Sequence, residues 1–211
     1  MFPFDVILFD VGGVLLTNGW DHRERAVVLG QFGLDVAEFE VRHPAPYAEW
    51  EVGAIPVNAY LDATVFYQPR SFSHDEFFAA MCAQTLALPH GALSLVKELA
   101  ELNQCLLGAL NNEARETNEY RFARFGLRKH FQVALSSCYL GLRKPDLAIY
   151  LRALDILGRP AERILFIDDR AGNVAAASAA GFVTALFTGA DSLRQELVNL
   201  GVLATPEREN S

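Results

Sequence analysis

The chain has 211 residues, of which 51% are hydrophobic and 21% charged, with a formal net charge of -8. That length fits one domain, or one domain carrying an insertion, and the composition excludes a disordered chain. The acidic balance, without a basic stripe, argues against a nucleic-acid partner and against docking on an anionic membrane.

The N-terminus, Met1-Phe2-Pro3-Phe4-Asp5, has no basic segment and no small-residue cleavage site. This predicts no secretion signal and a cytoplasmic location. Next comes Val6–Phe9, a short run that is apolar on both faces, and four more such runs follow: Leu106–Leu110, Gln132–Leu135, Ile164–Ile167 and Val183–Phe187. Parallel strands buried between helices have this pattern. From about Trp20 to about Leu88 the pattern is helical. Val27, Val28, Leu29 and Phe32 fit one helix, and Tyr60, Leu61, Val65 and Phe66 fit another. Ser73 with Glu76 forms a capping box ahead of Phe77, Phe78 and Met81. Leu93, Val96, Leu99 and Leu102 recur at helical spacing, as do Ile149, Leu151, Leu154 and Leu157. The apolar stretch Val174–Phe187 is broken by Ser178, Gly181 and Thr184, and reads as helix, turn and strand rather than a membrane span. Ser192 with Gln195 predicts a second capping box opening the last helix. Cys82, Cys105 and Cys138 lack any C-x-x-C spacing and read as reduced thiols.

Strand alternating with helix predicts an α/β fold: a Rossmann-like three-layer core around a central parallel five-stranded sheet. The helical interval predicts an inserted α-helical cap at 17–88, with the core at 1–16 and 89–211.

Ligands of open α/β sheets bind at the carboxyl ends of the strands. There stand Asp10, followed by Gly12 and Gly13; Asn111 and Asn112; Arg143-Lys144-Pro145 after the third run; and Asp168-Asp169, with Asn173 a helical turn further on. An adjacent carboxylate pair is costly to ionise. A divalent cation removes that cost, and hard oxygen donors without His or Cys point to Mg²⁺.

The four motifs Phe9-Asp10-Val11-Gly12-Gly13-Val14-Leu15, Leu110-Asn111-Asn112, Gly141-Leu142-Arg143-Lys144-Pro145 and Phe166-Ile167-Asp168-Asp169-Arg170-Ala171-Gly172-Asn173 resemble the haloacid dehalogenase-like hydrolase superfamily. The helical interval is similar to the subfamily with a small α-helical cap, and Glu49–Ile55 loosely resembles a turn of such caps. The resemblance implies Asp10 as a nucleophile forming an aspartyl-phosphate, and Mg²⁺ held by Asp10, the Gly12 carbonyl and Asp169, with Asp168 in support. It implies Lys144 as the neutralising cation, and Asn111 and Asn112 as phosphoryl or substrate contacts. The Gly12-Gly13 turn matches the family's mobile flap.

Two positions depart from the pattern. Gly12 stands where family phosphatases carry the aspartate that protonates the leaving alcohol, and Asn111 replaces a Ser or Thr. General acid help is worth ~10²–10⁴-fold. The readings are therefore a Mg²⁺-dependent phosphatase of small phosphorylated molecules, a weakly active or non-catalytic phosphate-binding relative, and a 2-haloacid dehalogenase. In the first, water or Glu49, Glu51 or His22 carries the proton. His22, Arg23, Arg25, His43, Tyr47 and Trp50 are candidate substrate selectors, though solvated charges and a Trp50 packed into the cap–core seam are the simpler expectation for them.

Overall fold

The computed structural model describes residues 2–205. Strand β1 (Val6–Phe9) leads into five helices: α1 (His22–Gln31), α2 (Val36–Arg42), α3 (Pro44–Glu51), α4 (Val57–Thr64) and α5 (His74–Ala83). Helix α6 (Leu93–Leu102) returns the chain to β2 (Leu106–Ala109). There follow α7 (Arg115–Arg124), β3 (Val133–Ala134), α8 (Ser137–Leu140), α9 (Leu147–Leu157), β4 (Ile164–Asp168), α10 (Ala171–Ala179), β5 (Val183–Leu186) and α11 (Ala190–Asn199). The strands form one parallel sheet in the order β3-β2-β1-β4-β5. None of the described helices is long and apolar enough to cross a membrane.

The apolar runs are explained by burial on both faces. Ile7, Phe9, Leu107, Leu165 and Ile167 pack with Leu95, Val96 and Leu99 of α6 and with Leu193 and Leu197 of α11. Val6, Leu8, Ile164 and Phe166 point the other way, onto Ile149 and Tyr150 of α9 and Ala177 of α10. The result is the expected three-layer core.

Helices α1 to α5 bury a third cluster of their own, built on Trp20, Leu29, Phe39, Trp50, Tyr60 and Phe77. Trp50 stacks on Tyr60 with ring centroids 4.5 Å apart, and the Trp20 indole donates to the Tyr60 hydroxyl at 2.8 Å. The Ser73–Glu76 capping box forms with both reciprocal bonds. The box expected at Ser192 does not. Helix α11 starts three residues earlier, at Ala190, because Gly189 takes the turn at φ +143 and the Ala190 amide bonds the His90 carbonyl at 3.0 Å. Val27, grouped with the buried face of α1, instead points to solvent.

Polar bonds fasten the inserted helices to the core. Glu116 of α7 accepts from the Trp50 indole and from the Val57 amide, both at 2.9 Å. Ser137 of α8 donates to the Glu51 carbonyl at 2.7 Å. Between these contacts Gly53 has φ +73, and a Cβ there would lie 2.3 Å from the Cys138 carbonyl oxygen. Only glycine permits that approach. Gly53→Ala should therefore destabilise the protein by about 2–4 kcal/mol, from left-handed strain plus overpacking. A thermal melt checks this; an unchanged midpoint would count against the tight docking of this turn on α8.

Candidate active site

The chain winds one way from β1 through β2 to β3, and the other way through β4 to β5. The carboxyl ends of β1 and β4 thus flank the switch point where open α/β sheets bind ligands. The β1–β4 register pairs Phe9 with Ile167, and the Asp10 amide donates to the Ile167 carbonyl at 2.8 Å. Adjacent strand ends therefore set Asp10 beside Asp168.

The Lys144 ammonium lies between them, 3.1 Å from Asp10 Oδ1 and 2.6 Å from Asp168 Oδ2. It reaches this place from the loop after α8. Asn112, just past β2, fixes that loop: its Oδ1 accepts from the Lys144 amide at 2.8 Å, and its Nδ2 donates to the Lys144 carbonyl at 2.9 Å. Asp168 is fully buried and also accepts from Asn173 Nδ2, at 3.0 Å on each oxygen, and from the Arg170 amide at 2.8 Å. Asp10 Oδ1 accepts in addition from the Val11 amide at 2.8 Å, while Asp10 Oδ2 has no protein partner among the described residues. Burial pushes the Asp10 carboxyl up to about 6, against the pull of Lys144. Burial also raises Asp169, with the Asp168 charge acting in the same direction.

Asp10, Asp168 and Asp169 each bring a carboxylate oxygen within 4.8 Å of the others. The Lys144 ammonium is one positive charge among three carboxylates. Among the described residues, Asp169 Oδ1 is buried without a hydrogen-bond partner. A Cβ at Gly13, whose φ is +76, would come within 2.2 Å of Asp169 Oδ2, so glycine leaves that carboxylate its room. An orphaned buried oxygen, an excess of negative charge and an all-oxygen donor set fit a hard divalent cation.

A cavity of about 190 Å³ opens above this cluster. The core lines it with Asp10, Gly12, Asn112, Lys144, Arg170 and Asn173, the segment leading into α1 with Trp20 and Asp21, and α3 with Tyr47 and Glu51. Asn18 and Arg121 complete the wall. Of the proposed selectors, only Tyr47 reaches the cavity. Arg25 is buried against Glu40, at 2.8 and 3.0 Å, and against the Trp20 carbonyl, so it is structural. His43 is buried with its Nδ1 2.9 Å from the Tyr60 hydroxyl, and burial pushes its pKa down to about 4. Arg23 is exposed, and Trp50 lies in the seam between insertion and core.

Asn111 is placed differently from the phosphoryl contact expected of it. Its Nδ2 donates to Asn118 Oδ1 at 3.0 Å and its Oδ1 accepts from Ser136 at 2.7 Å, both in the interior, and it does not line the cavity. Asn112 does line it, with both ends of its amide engaged on Lys144. Sequence reasoning missed Arg121, which pairs with the buried Glu113 and donates to the Thr17 carbonyl. A charged residue on a helix reads as a solvated face, and no signal in the chain marks this one as buried.

Residues 4–181 match the haloacid dehalogenase-like hydrolase family. The chain belongs to that family. Flavin mononucleotide hydrolase 1 of Arabidopsis thaliana, a chloroplast protein, is 28% identical over 204 residues, covering 93% of this chain and 78% of the relative. Bifunctional epoxide hydrolase 2 of Rattus norvegicus is 27% identical over 222 residues, covering 96% of this chain and 40% of that protein. The chain spans less than half the length of several curated relatives it matches. In fold it is similar to a HAD family enzyme of Bacteroides thetaiotaomicron crystallised with magnesium and inorganic phosphate. The TM-score is 0.76 at 19% identity, covering 88% of this chain and 95% of the other.

The raised Asp10 has a consequence for stability. Its folded pKa, about 6, lies above the ordinary 3.8. Between these values the folded protein keeps a proton that the unfolded chain has released, so acid favours the fold. In chelator, the wild type should gain melting temperature relative to Asp10→Asn as pH falls from about 7 to about 5. Parallel curves for the two proteins would show that Asp10 is not desolvated as described.

Proposed function

We propose that this protein is a Mg²⁺-dependent phosphatase of small phosphate monoesters, acting through an aspartyl-phosphate at Asp10. The observation that carries the reading is the cluster at the switch point: Lys144 bridging Asp10 and Asp168, beside an Asp169 oxygen that has no protein partner. In this reading residues 17–88 are a cap over a core formed by 1–16 and 89–211. Asp10, the Gly12 carbonyl and Asp169 hold the cation, with Asp168 supporting them. When bound, Mg²⁺ supplies Lewis-acid polarisation of the phosphoryl oxygens.

The remaining chemistry belongs to the chain's own groups. Oδ1 of Asp10 is held by Lys144 and the Val11 amide, which leaves Oδ2 for attack on phosphorus. Lys144 neutralises charge on the nucleophile and then on the transferring phosphoryl group, in a buried site where such charge stabilisation is strong. Asn112 acts as a positioning residue, clamping the Lys144 backbone. Asp168, with all its donors supplied by protein, anchors the lysine.

Substrate size follows from the cavity. About 190 Å³ is below the ~300–1,000 Å³ of pockets that hold drug-sized ligands. The Arabidopsis relative's name supports phosphate-ester hydrolysis, while the cavity favours molecules much smaller than a flavin nucleotide. A halide leaving group needs no cation, so the acidic pair with its orphaned oxygen favours phosphate esters over 2-haloacids.

The decisive experiment is a panel of small phosphomonoesters, flavin mononucleotide and 2-haloacids, each with Mg²⁺ and with chelator. Phosphate release from the small esters, lost on chelation, is the expected result. Halide release that persists in chelator would replace this reading with dehalogenation. Tight tungstate binding without any turnover would make the protein a non-catalytic relative. Separately, calorimetry of Asp169→Asn should show Mg²⁺ affinity reduced by more than the ~10–100-fold that follows loss of a supporting contact. Unchanged affinity would remove Asp169 from the metal site.

A further inference from the structure

A phosphatase with Gly12 lacks the carboxyl group that would protonate its leaving alcohol. Of the three side chains in the sequence that offered to replace it, two are out of place. His22 is exposed on α1 and bonds Glu40 at 3.3 Å, and Glu49 is exposed on α3. Glu51, at the C-terminal end of α3, is buried and lines the same cavity as Asp10. Asp21 also lines it but is exposed, and its oxygens accept from the His22 amide at 2.7 Å and from Asn18 at 3.3 Å.

We propose that Glu51 is the catalytic acid and base of this site, taking the role of the side chain missing at Gly12. The proposal rests on the phosphatase reading above. Three contacts hold Glu51 in place. Ser137 binds its carbonyl at 2.7 Å, the Gly53 turn abuts Cys138, and Trp50 is tied to Glu116. A proton donor gains from such fixed placement. The groups facing its carboxyl are Arg143, 3.3 Å away, Tyr47 one turn back, and Glu113, itself paired with Arg121. Burial is the largest influence and raises the Glu51 carboxyl, and the Glu113 charge adds to it, while Tyr47 and Arg143 oppose both. A carboxyl displaced toward neutral pH is a more effective general acid.

In the first step Asp10 Oδ2 forms a bond to phosphorus as the ester P–O bond breaks. Glu51 gives its proton to the leaving oxygen, which departs as an alcohol, and is left as a carboxylate. In the second step that carboxylate takes a proton from water as the water oxygen attacks phosphorus. The Asp10–phosphorus bond breaks, phosphate leaves, and both carboxyl groups return to their starting states.

The test compares an alkyl phosphate with nitrophenyl phosphate in single-turnover phosphorylation of Glu51→Gln, with folding checked by thermal melt. An alkoxide needs the proton and a nitrophenolate does not. The alkyl rate should fall by ~10²–10⁴-fold and the nitrophenyl rate by less than ~10-fold. In wild type, Arg143→Gln should move the alkaline limb of the alkyl rate to higher pH, because losing the cation raises Glu51 further. Gly12→Asp in the Glu51→Gln background should restore alkyl turnover. Gly12 does not have a left-handed φ, and a Cβ there meets Asn18 Oδ1 at 2.9 Å, a side-chain tip able to turn aside. Equal losses for both substrates in a folded Glu51→Gln, or no loss, would reduce Glu51 to a packing residue and overturn the proposal alone. A wild type that hydrolyses no phosphomonoester would instead bring down the phosphatase reading, and this proposal with it.

Discussion

The site depends on one ammonium placed among carboxylates. Lys144 can sit there because β1 and β4 are neighbours, so Asp10 and Asp168 end side by side, and because Asn112 holds the lysine's own peptide from across the cleft. The three carboxylates differ in how far the protein satisfies them. Asp168 is supplied by Lys144, Asn173 and the Arg170 amide, and is completely buried. Asp10 has one oxygen supplied and one without a protein partner. Asp169 has a buried oxygen without a hydrogen-bond partner among the described residues. A buried polar atom without a partner is expensive and is retained where something outside the protein completes it. In the proposed function this gradient, from anchored to half-engaged to orphaned, matches a supporting residue, a nucleophile that also holds the cation, and a residue that serves as metal ligand alone.

Much of this was legible in the sequence, for a physical reason. A strand covered on both faces must be apolar throughout, so the runs around Ile7, Leu107 and Leu165 stand out without an alignment. Chain order then places Asp10, Lys144 and Asp168 at one rim. Directions within the interior are less legible. Asn111 and Asn112 are adjacent in sequence, yet one amide faces Asn118 and Ser136 and the other faces Lys144. That division follows from the register of β2 and the path of the loop after α8, neither of which composition encodes. The start of α11 was misplaced because a tertiary contact, Ala190 to His90, outweighs a local capping pattern. Helix α3 was not singled out because its buried residues, Trp50 and Glu51, are consecutive and do not form a stripe.

The inserted helices do more than cover the site. Their contacts with the core through Glu116, Ser137 and Gly53 all converge on α3 and the turn after it, the segment that brings Tyr47 and Glu51 to the cavity. The docking surface and the substrate-facing wall are thus one piece of chain. Substitutions that loosen the docking also displace the wall, so in the proposed function effects on stability and on substrate choice are coupled.

In the proposed function, burial makes cation and substrate depend on each other. Excluding water raises Asp10, so a larger fraction of it is protonated at a given pH. Lys144 offsets part of that shift, but it is one charge against three carboxylates. A phosphate dianion entering this cluster adds like charge in a medium where Coulomb interactions are weakly screened. A divalent cation reverses both effects: it favours the ionised Asp10 and gives the phosphoryl oxygens an attractive partner. In the proposed reaction each ligand therefore strengthens binding of the other. The protein supplies the geometry and the exclusion of water, while the cation supplies the charge that three carboxylates and one ammonium leave unbalanced.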